Sequence, residues 1–489
     1  MAYTTIDDGS EYFQTALYTG NGSSQSVVND GNSDLQPDWL WIKERSSTSG
    51  HILKDTSRGV NNSLNSHNTD AESANSNQVT SINSDGFSVG TDNGTNQSSV
   101  SMVAWQWKAG GSTPTKTYKV VVVSDGGNKY RFRNSGDTAT FAQSAVTLDL
   151  QEGGTYTFDL SDSSVDGHPL KFSETSNGSH GGGSVYSTGV VYQLDGSSVS
   201  ESNYYNTSNF NSASSRKIII TVASSAPTLY YYCHYHSGMG GQVNTNSTHG
   251  QTNFDGSTLS VSQPNTTAGF SIVTYTGTGS EGTIAHGLGA TPKMIIWKRR
   301  DSSANWSVQG TQSAINTDRV EIVLNSTSAV SSADSRIGRQ SQWNSTVFEV
   351  NTYTDQNADG GTYLAYCFAE IKGYSKFGSY TGNGNADGTF VYTGFKPAWI
   401  MYKRTNTTGN WLIFDNERTT FNLADDFLQA DLSDAEATSN ANNRIDILSN
   451  GFKHRGSGSA SNASGGTYIY MCFASSPFVS SKGVPTTAR

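Results

Sequence analysis

The chain has 489 residues, of which 51 are glycine, 15% are charged and 11% are aromatic; its formal net charge is −10 and its pI about 5.4. That length exceeds what one hydrophobic core organises and predicts about three or four domains. The aromatic content excludes a disordered chain, and the acidic balance argues against nucleic-acid binding, which needs clustered Lys and Arg.

The first residues, MAYTTIDDGSEYFQTALYTG, contain no basic stretch followed by an apolar one, so no signal peptide is expected. Nowhere do 18 apolar residues run together, so membrane insertion is not expected either. Thr, Tyr, Val and Ile favour strands while Gly, Asn, Asp and Ser make turns, which points to an all-β fold of many short strands.

One unit recurs. LYTGNGSSQSV (17–27), TYTGTGSEGTI (274–284) and SYTGNGNADGTF (379–390) share a Tyr-Thr-Gly-x-Gly start. Each is followed by an apolar strand ending in basic residues, from Pro37, Pro292 and Pro397. A turn and strand come next (84–90, 345–351, 449–455), and an aromatic strand closes each unit (102–109, 362–370, 467–475). These features predict three related antiparallel β-sandwich modules over 1–111, 268–374 and 375–489. Alternation in WLWIKER and YLAYCFAE predicts one buried and one outward face per strand. Cys367 and Cys472 stand where the first unit has Gln106, a packing or surface position and not a disulfide; three widely spaced cysteines make no framework.

Between the first and second units lies an unrelated segment, 117–242, entered through GGSTPTKTYK and followed by a linker, 243–267. Its strands KTYKVVVVS, KYRFRN, AVTLDLQEGGTYTFDLSD, HPLKFSET, RKIIITVAS and TLYYYCHYH predict a small inserted Greek-key β-sandwich. The segments GGTYTFDLSDSSVDGHPLKFSET and LYYYCHYHSGMGG resemble the cupredoxins, the blue-copper domains. That resemblance implies a metal set of His168, Cys233, His236 and Met239, with Cys-x2-His-x2-Met on one loop. A thiolate, two imidazoles and an axial thioether form a blue-copper ligand set, and soft sulfur favours copper over magnesium or calcium. Zinc through Cys233, His236, His168 and His234 is the alternative; a cupredoxin-like fold that has shed its metal is the third.

The repeated unit, with YTGNGSSQSV, GLGATPKMIIWKRRD and NTTAGFSIVTYTGTGS, resembles modules of virion proteins from tailed phages of aquatic bacteria. The resemblance implies a non-enzymatic structural part of the particle: a tail fibre, tail-tip protein or capsid-bound appendage, exposed on the virion after assembly in the host cytoplasm. Its partners would be other virion proteins, further copies of the chain in a homo-oligomer, and host surface glycan at an attachment face. A carbohydrate-binding multi-module protein is the rival class, with Trp39, Trp41, Trp306 and Trp411 as candidate stacking platforms, although Trp in a sandwich is more often core. A free-standing copper carrier would leave most of the chain unexplained. A glycosidase would need two facing carboxylates, for which Glu72 and the pair Asp425–Asp426 are the nominees; acids in turn-rich loops are usually solvated, so no enzyme is expected.

Overall fold

The computed structural model describes residues 3–110, 114–245, 250–310 and 318–486. Strands dominate, the helices are short, and the strands pair almost wholly antiparallel, so the fold is all-β and sandwich-like. Among the described residues no helix is long and apolar enough to cross a membrane. The chain divides into two compact units: Met1–Ala109 with Pro264–Gly282 and Gly287–Arg489, and Gly110–Gln263 with Thr283–His286.

In the first unit each repeat builds one sheet on the same plan. The opening strand (Phe13–Thr19, Phe270–Thr276 or Ser375–Thr381) pairs with the closing aromatic strand (Ser101–Trp107, Thr362–Phe368 or Thr467–Pro477). The basic-ended strand (Trp39–Glu44, Met294–Arg299 or Phe395–Arg404) pairs with the closing strand's other edge. Repeats one and three add a small outer sheet, Gln25–Val27 with Phe87–Val89 and Val79–Ile82, and Phe390–Tyr392 with Gly451–His454 and Ile445–Leu448. The expected alternation fails here: every residue of Trp39–Glu44 is buried. Trp39 and Trp41 enter a core shared by all three repeats, while Leu40 and Ile42 pack under the outer sheet, so both faces are covered. Repeat one therefore keeps a small core of its own on one face and shares the core on its other face. Trp39 stacks on Tyr366 of the second repeat with centroids 4.3 Å apart, and Trp107 meets Trp399 of the third edge-on at 5.3 Å.

The repeats close head to tail. Trp306 Nε1 donates to the Asn65 carbonyl of repeat one (2.8 Å), and Trp411 Nε1 to the Val323 carbonyl of repeat two (3.0 Å). His51, at the same register in repeat one, places Nε2 2.9 Å from the Gln429 carbonyl of repeat three. Trp41 Nε1 donates to His51 Nδ1 (2.8 Å), which leaves the His51 proton on Nε2 to complete the ring of contacts. Beside each of these groups a buried lysine, Lys43, Lys298 or Lys403, donates to backbone carbonyls, and burial pulls the three down to about 8.

Among the described residues two of the three seams are ionic. Arg58 pairs with Asp55 (2.6 Å) and with Glu72 (2.8 Å), which also takes Arg300 from repeat two (2.8 Å). Arg418 pairs with Asp415 (2.5 Å) and with Glu436 (2.7 Å), which takes Arg45 from repeat one (2.7 Å). Each aspartate also accepts a bond from the next repeat, Asp55 from Tyr366 and Asp415 from Trp105, both 2.8 Å. At the third seam the equivalent positions are Gly310, Val330, Thr405 and Met471, so acid, base and ring donor are replaced together. The counterpart of Arg58 and Arg418 in the sequence is Ser313, outside the described residues, so the central base changes with the rest and none of the charged groups is left alone as a buried orphan.

The second unit is a two-sheet sandwich of mixed, Greek-key order. One sheet runs Asn128–Phe132, Thr115–Ser124, Thr155–Asp159, Arg216–Thr221, Val190–Leu194, Ser197–Val199; the other runs Leu148–Asp149, Gln242–Asn244, Leu229–Cys233, Leu170–Ser173. Rings such as Tyr118, Phe132, Phe158 and Tyr231 fill the space between. Of the entry segment, residues 111–113 lie outside the described residues. The stretch 243–267 is more than a connection: Gln251–Asn253 pairs with Ser260–Asn265, and Phe254, 4% exposed, packs into the sandwich core. Its Gly, Asn and Thr content hid those few apolar anchors.

Candidate metal centre

Register brings the first two donors together. Leu170 pairs with Cys233, the last residue of its strand, so His168, two residues earlier, ends beside the thiol. A turn holds His168 there: its N–H donates to the Val165 carbonyl, and its own carbonyl accepts the Tyr130 hydroxyl, both at 2.8 Å. After Cys233 the chain turns back and delivers His236. The result is a cluster with His168 Nδ1 3.7 Å and His236 Nδ1 3.6 Å from Cys233 Sγ, the imidazole centroids 4.6 Å apart, and one donor atom of each residue within 4.8 Å of the others. His168 and Cys233 are buried, whereas His236 is exposed.

The loop is held from three sides. Asn177 accepts from the Gly238 N–H and donates to Ser237 Oγ, both at 2.8 Å. Lys129 donates to the Gly238 carbonyl, and the Tyr130 N–H to the Met239 carbonyl at 3.0 Å. A side chain at Gly240 would put Cβ 1.7 Å from the Tyr231 carbonyl oxygen, so only glycine lets the chain leave the loop so close to the strand. Met239 is buried at 1% exposure in the core that contains Cys233. Burial pushes the Cys233 thiol up, opposed by the amides of Tyr235 and His236 and by the Tyr130 hydroxyl. Burial, and next the neighbouring His236, hold the His168 imidazole below its usual range.

The donor set fits a soft cation. A metal bonded to sulfur at about 2.3 Å and to imidazole nitrogen at about 2.0–2.1 Å holds those atoms about 3.6–3.8 Å apart, which is the spacing found here. Both imidazoles present the same nitrogen, Nδ1, to the sulfur. His234, the extra ligand of the zinc alternative, is not in the cluster. Its N–H donates to the Pro169 carbonyl, its ring stacks on Tyr205 with centroids 4.0 Å apart, and its Nδ1 lies 3.2 Å from Lys171 Nζ. Sequence reading missed the supporting residues Asn128, Lys129, Tyr130 and Asn177. They sit in turns and strands without any motif, and only a sequence pattern tied to contacts across the sandwich would have pointed to them.

The other nominees have structural roles. Trp39, Trp41, Trp306 and Trp411 are at most 1% exposed, which removes them as sugar-stacking platforms. Glu72 is clamped by Arg58 and Arg300. Asp426 accepts the Ser439 N–H, and the Asp425 carbonyl the Asn440 N–H, as turn residues do. Cys233, Cys367 and Cys472 are buried and free.

A family described only as a domain of unknown function, DUF7483, matches residues 8–128 and 244–477, so the match breaks across the inserted sandwich. No curated protein and no solved structure matches the chain.

Proposed function

The chain belongs to the DUF7483 family, and we propose that it is a non-enzymatic structural component of a phage particle. In this reading it sits on the virion, contacts other virion proteins and copies of itself, and displays an attachment face toward host surface glycan. The supporting observation is the scaffold: three repeats joined in one chain close on each other through buried tryptophan, lysine and ion-pair contacts. That chemistry serves rigidity within a single polypeptide. Gold-labelled antibody against the recombinant chain should decorate intact particles of the phage that encodes it. Unlabelled particles that lack the chain by mass spectrometry would end this reading.

A second reading concerns the insert, and the His168–Cys233–His236 geometry supports it. His168 Nδ1, Cys233 Sγ and His236 Nδ1 would hold copper in the inserted sandwich, with Met239 the further ligand that the cupredoxin resemblance implies. Bound copper would supply one-electron exchange. The protein's own contribution is to hold both imidazoles by one nitrogen, exclude water from Cys233 and leave only His236 facing solvent. Copper loading should give one equivalent bound and a strong visible absorption. A colourless, copper-free protein after loading would retire it.

A further inference from the structure

The strand Asn128–Phe132 touches the candidate metal centre at three successive residues. Asn128 lies with its side-chain Nδ2 3.2 Å from His168 Nε2. Lys129 reaches the Gly238 carbonyl. Tyr130 bonds the His168 carbonyl through its hydroxyl and the Met239 carbonyl through its N–H. This strand belongs to the sheet opposite the one that carries Cys233, so it ties the His168 turn to the ligand loop.

The tautomer of His168 then matters. Its Nδ1 faces Cys233 Sγ, and a nitrogen that ligates must carry no proton, so the proton has to sit on Nε2. A proton on Nε2 needs an acceptor, and the Asn128 amide stands at that place. An amide's oxygen and nitrogen exchange positions by a half-turn, so the same contact serves with the oxygen toward the ring. With the nitrogen toward the ring, Nε2 would accept and the proton would move to Nδ1, on the ligating side.

We propose that Asn128 is a positioning residue for the copper reading of the insert, on which this inference rests: its amide oxygen accepts the His168 Nε2 proton and keeps Nδ1 free to ligate. Such outer partners orient the imidazole, and their loss costs about 10–100-fold in metal affinity. Asn128 is exposed at the first position of its strand and belongs to none of the hydrophobic cores, so its substitution should leave the fold intact.

The test uses the full chain and copper(I) titrated against a chromophoric chelator. Asn128→Leu, which has no acceptor, should bind about 10–100-fold more weakly, whereas Asn128→Asp, which keeps one, should stay close to wild type. Nitrogen-15 NMR of the copper(I)-loaded protein should show the His168 proton on Nε2 in wild type and Asn128→Asp. Equal thermal unfolding of the metal-free variants checks the fold. Undiminished affinity in Asn128→Leu, or an equal loss in Asn128→Asp, overturns the inference while leaving the copper reading in place. A wild-type chain that takes no copper overturns the copper reading, and the inference falls with it.

Discussion

The scaffold and the insert both bury polar chemistry, but they dispose of it differently. In the scaffold the buried charges of the seams meet protein partners of opposite character: Arg418 meets Asp415 and Glu436, and Lys403 meets the Thr327 and Gly409 carbonyls. In the insert, three donors of lone pairs face one another, His168, Cys233 and His236. Groups of opposite character satisfy each other and hold a fold. Groups that can each offer a lone pair toward one point make only weak thiol–imidazole hydrogen bonds among themselves, and a cation placed between them would be held by all three at once.

The strongest way to break the scaffold side is Arg418→Met. It leaves the Asp415 and Glu436 carboxylates buried with their shared partner gone, and should destabilise the protein by about 3–5 kcal/mol in chemical denaturation. Adding Asp415→Gly and Glu436→Val, which copies the third seam's Gly310 and Val330, should recover part of that loss. A single variant that costs less than about 1 kcal/mol would mean the seam is not held by these ions.

On the insert side, Cys233→Ser should abolish the visible absorption of the copper-loaded protein, since sulfur is the soft donor of the set. It should leave the scaffold's unfolding transition where it was. Retention of the band would mean that the colour arises elsewhere.

His454 is a buried scaffold histidine outside those seams. Its two ring nitrogens have no partner, and burial among Tyr380, Tyr402 and Phe452 lowers it from the usual value to about 3. Because the folded value is depressed, the unfolded chain binds the extra proton between about pH 6.5 and 3, and stability falls as pH drops through that window. The slope should approach about 1.4 kcal/mol per pH unit from this residue. His454→Val, the residue found at the matching positions Val89 and Val350, should flatten it; an unchanged acid limb in pH-dependent denaturation would assign the slope elsewhere.

The smallest effect belongs to the surface. Arg336, whose side chain is 59% exposed, pairs with Asp334 at 2.6 Å, and Arg336→Ala should leave the unfolding midpoint within the scatter of wild-type measurements. A larger shift would show that exposed pairs matter here as much as buried ones.

Much of this was legible in the amino-acid order. Composition and turn residues marked an all-β chain, because strand formers and turn formers act locally. The repeated Tyr-Thr-Gly-x-Gly starts marked three copies of one unit. In the insert, the spacing Cys233-x2-His236 named two donors on one loop, and the resemblance added His168, which the register of Leu170 against Cys233 places beside them. What only the tertiary structure decided is how the copies meet. Trp39 and Leu40 are both buried since one faces the shared core and the other an outer sheet, and alternation along a strand cannot report a second covering layer. The seams depend on partners some two to four hundred positions apart, as with Arg300 and Glu72 or Trp105 and Asp415. The same holds on a smaller scale for Asn128, whose contact with His168 spans the sandwich. Periodicity and local propensity report near neighbours, whereas the seams and the Asn128 contact are set by packing between distant segments.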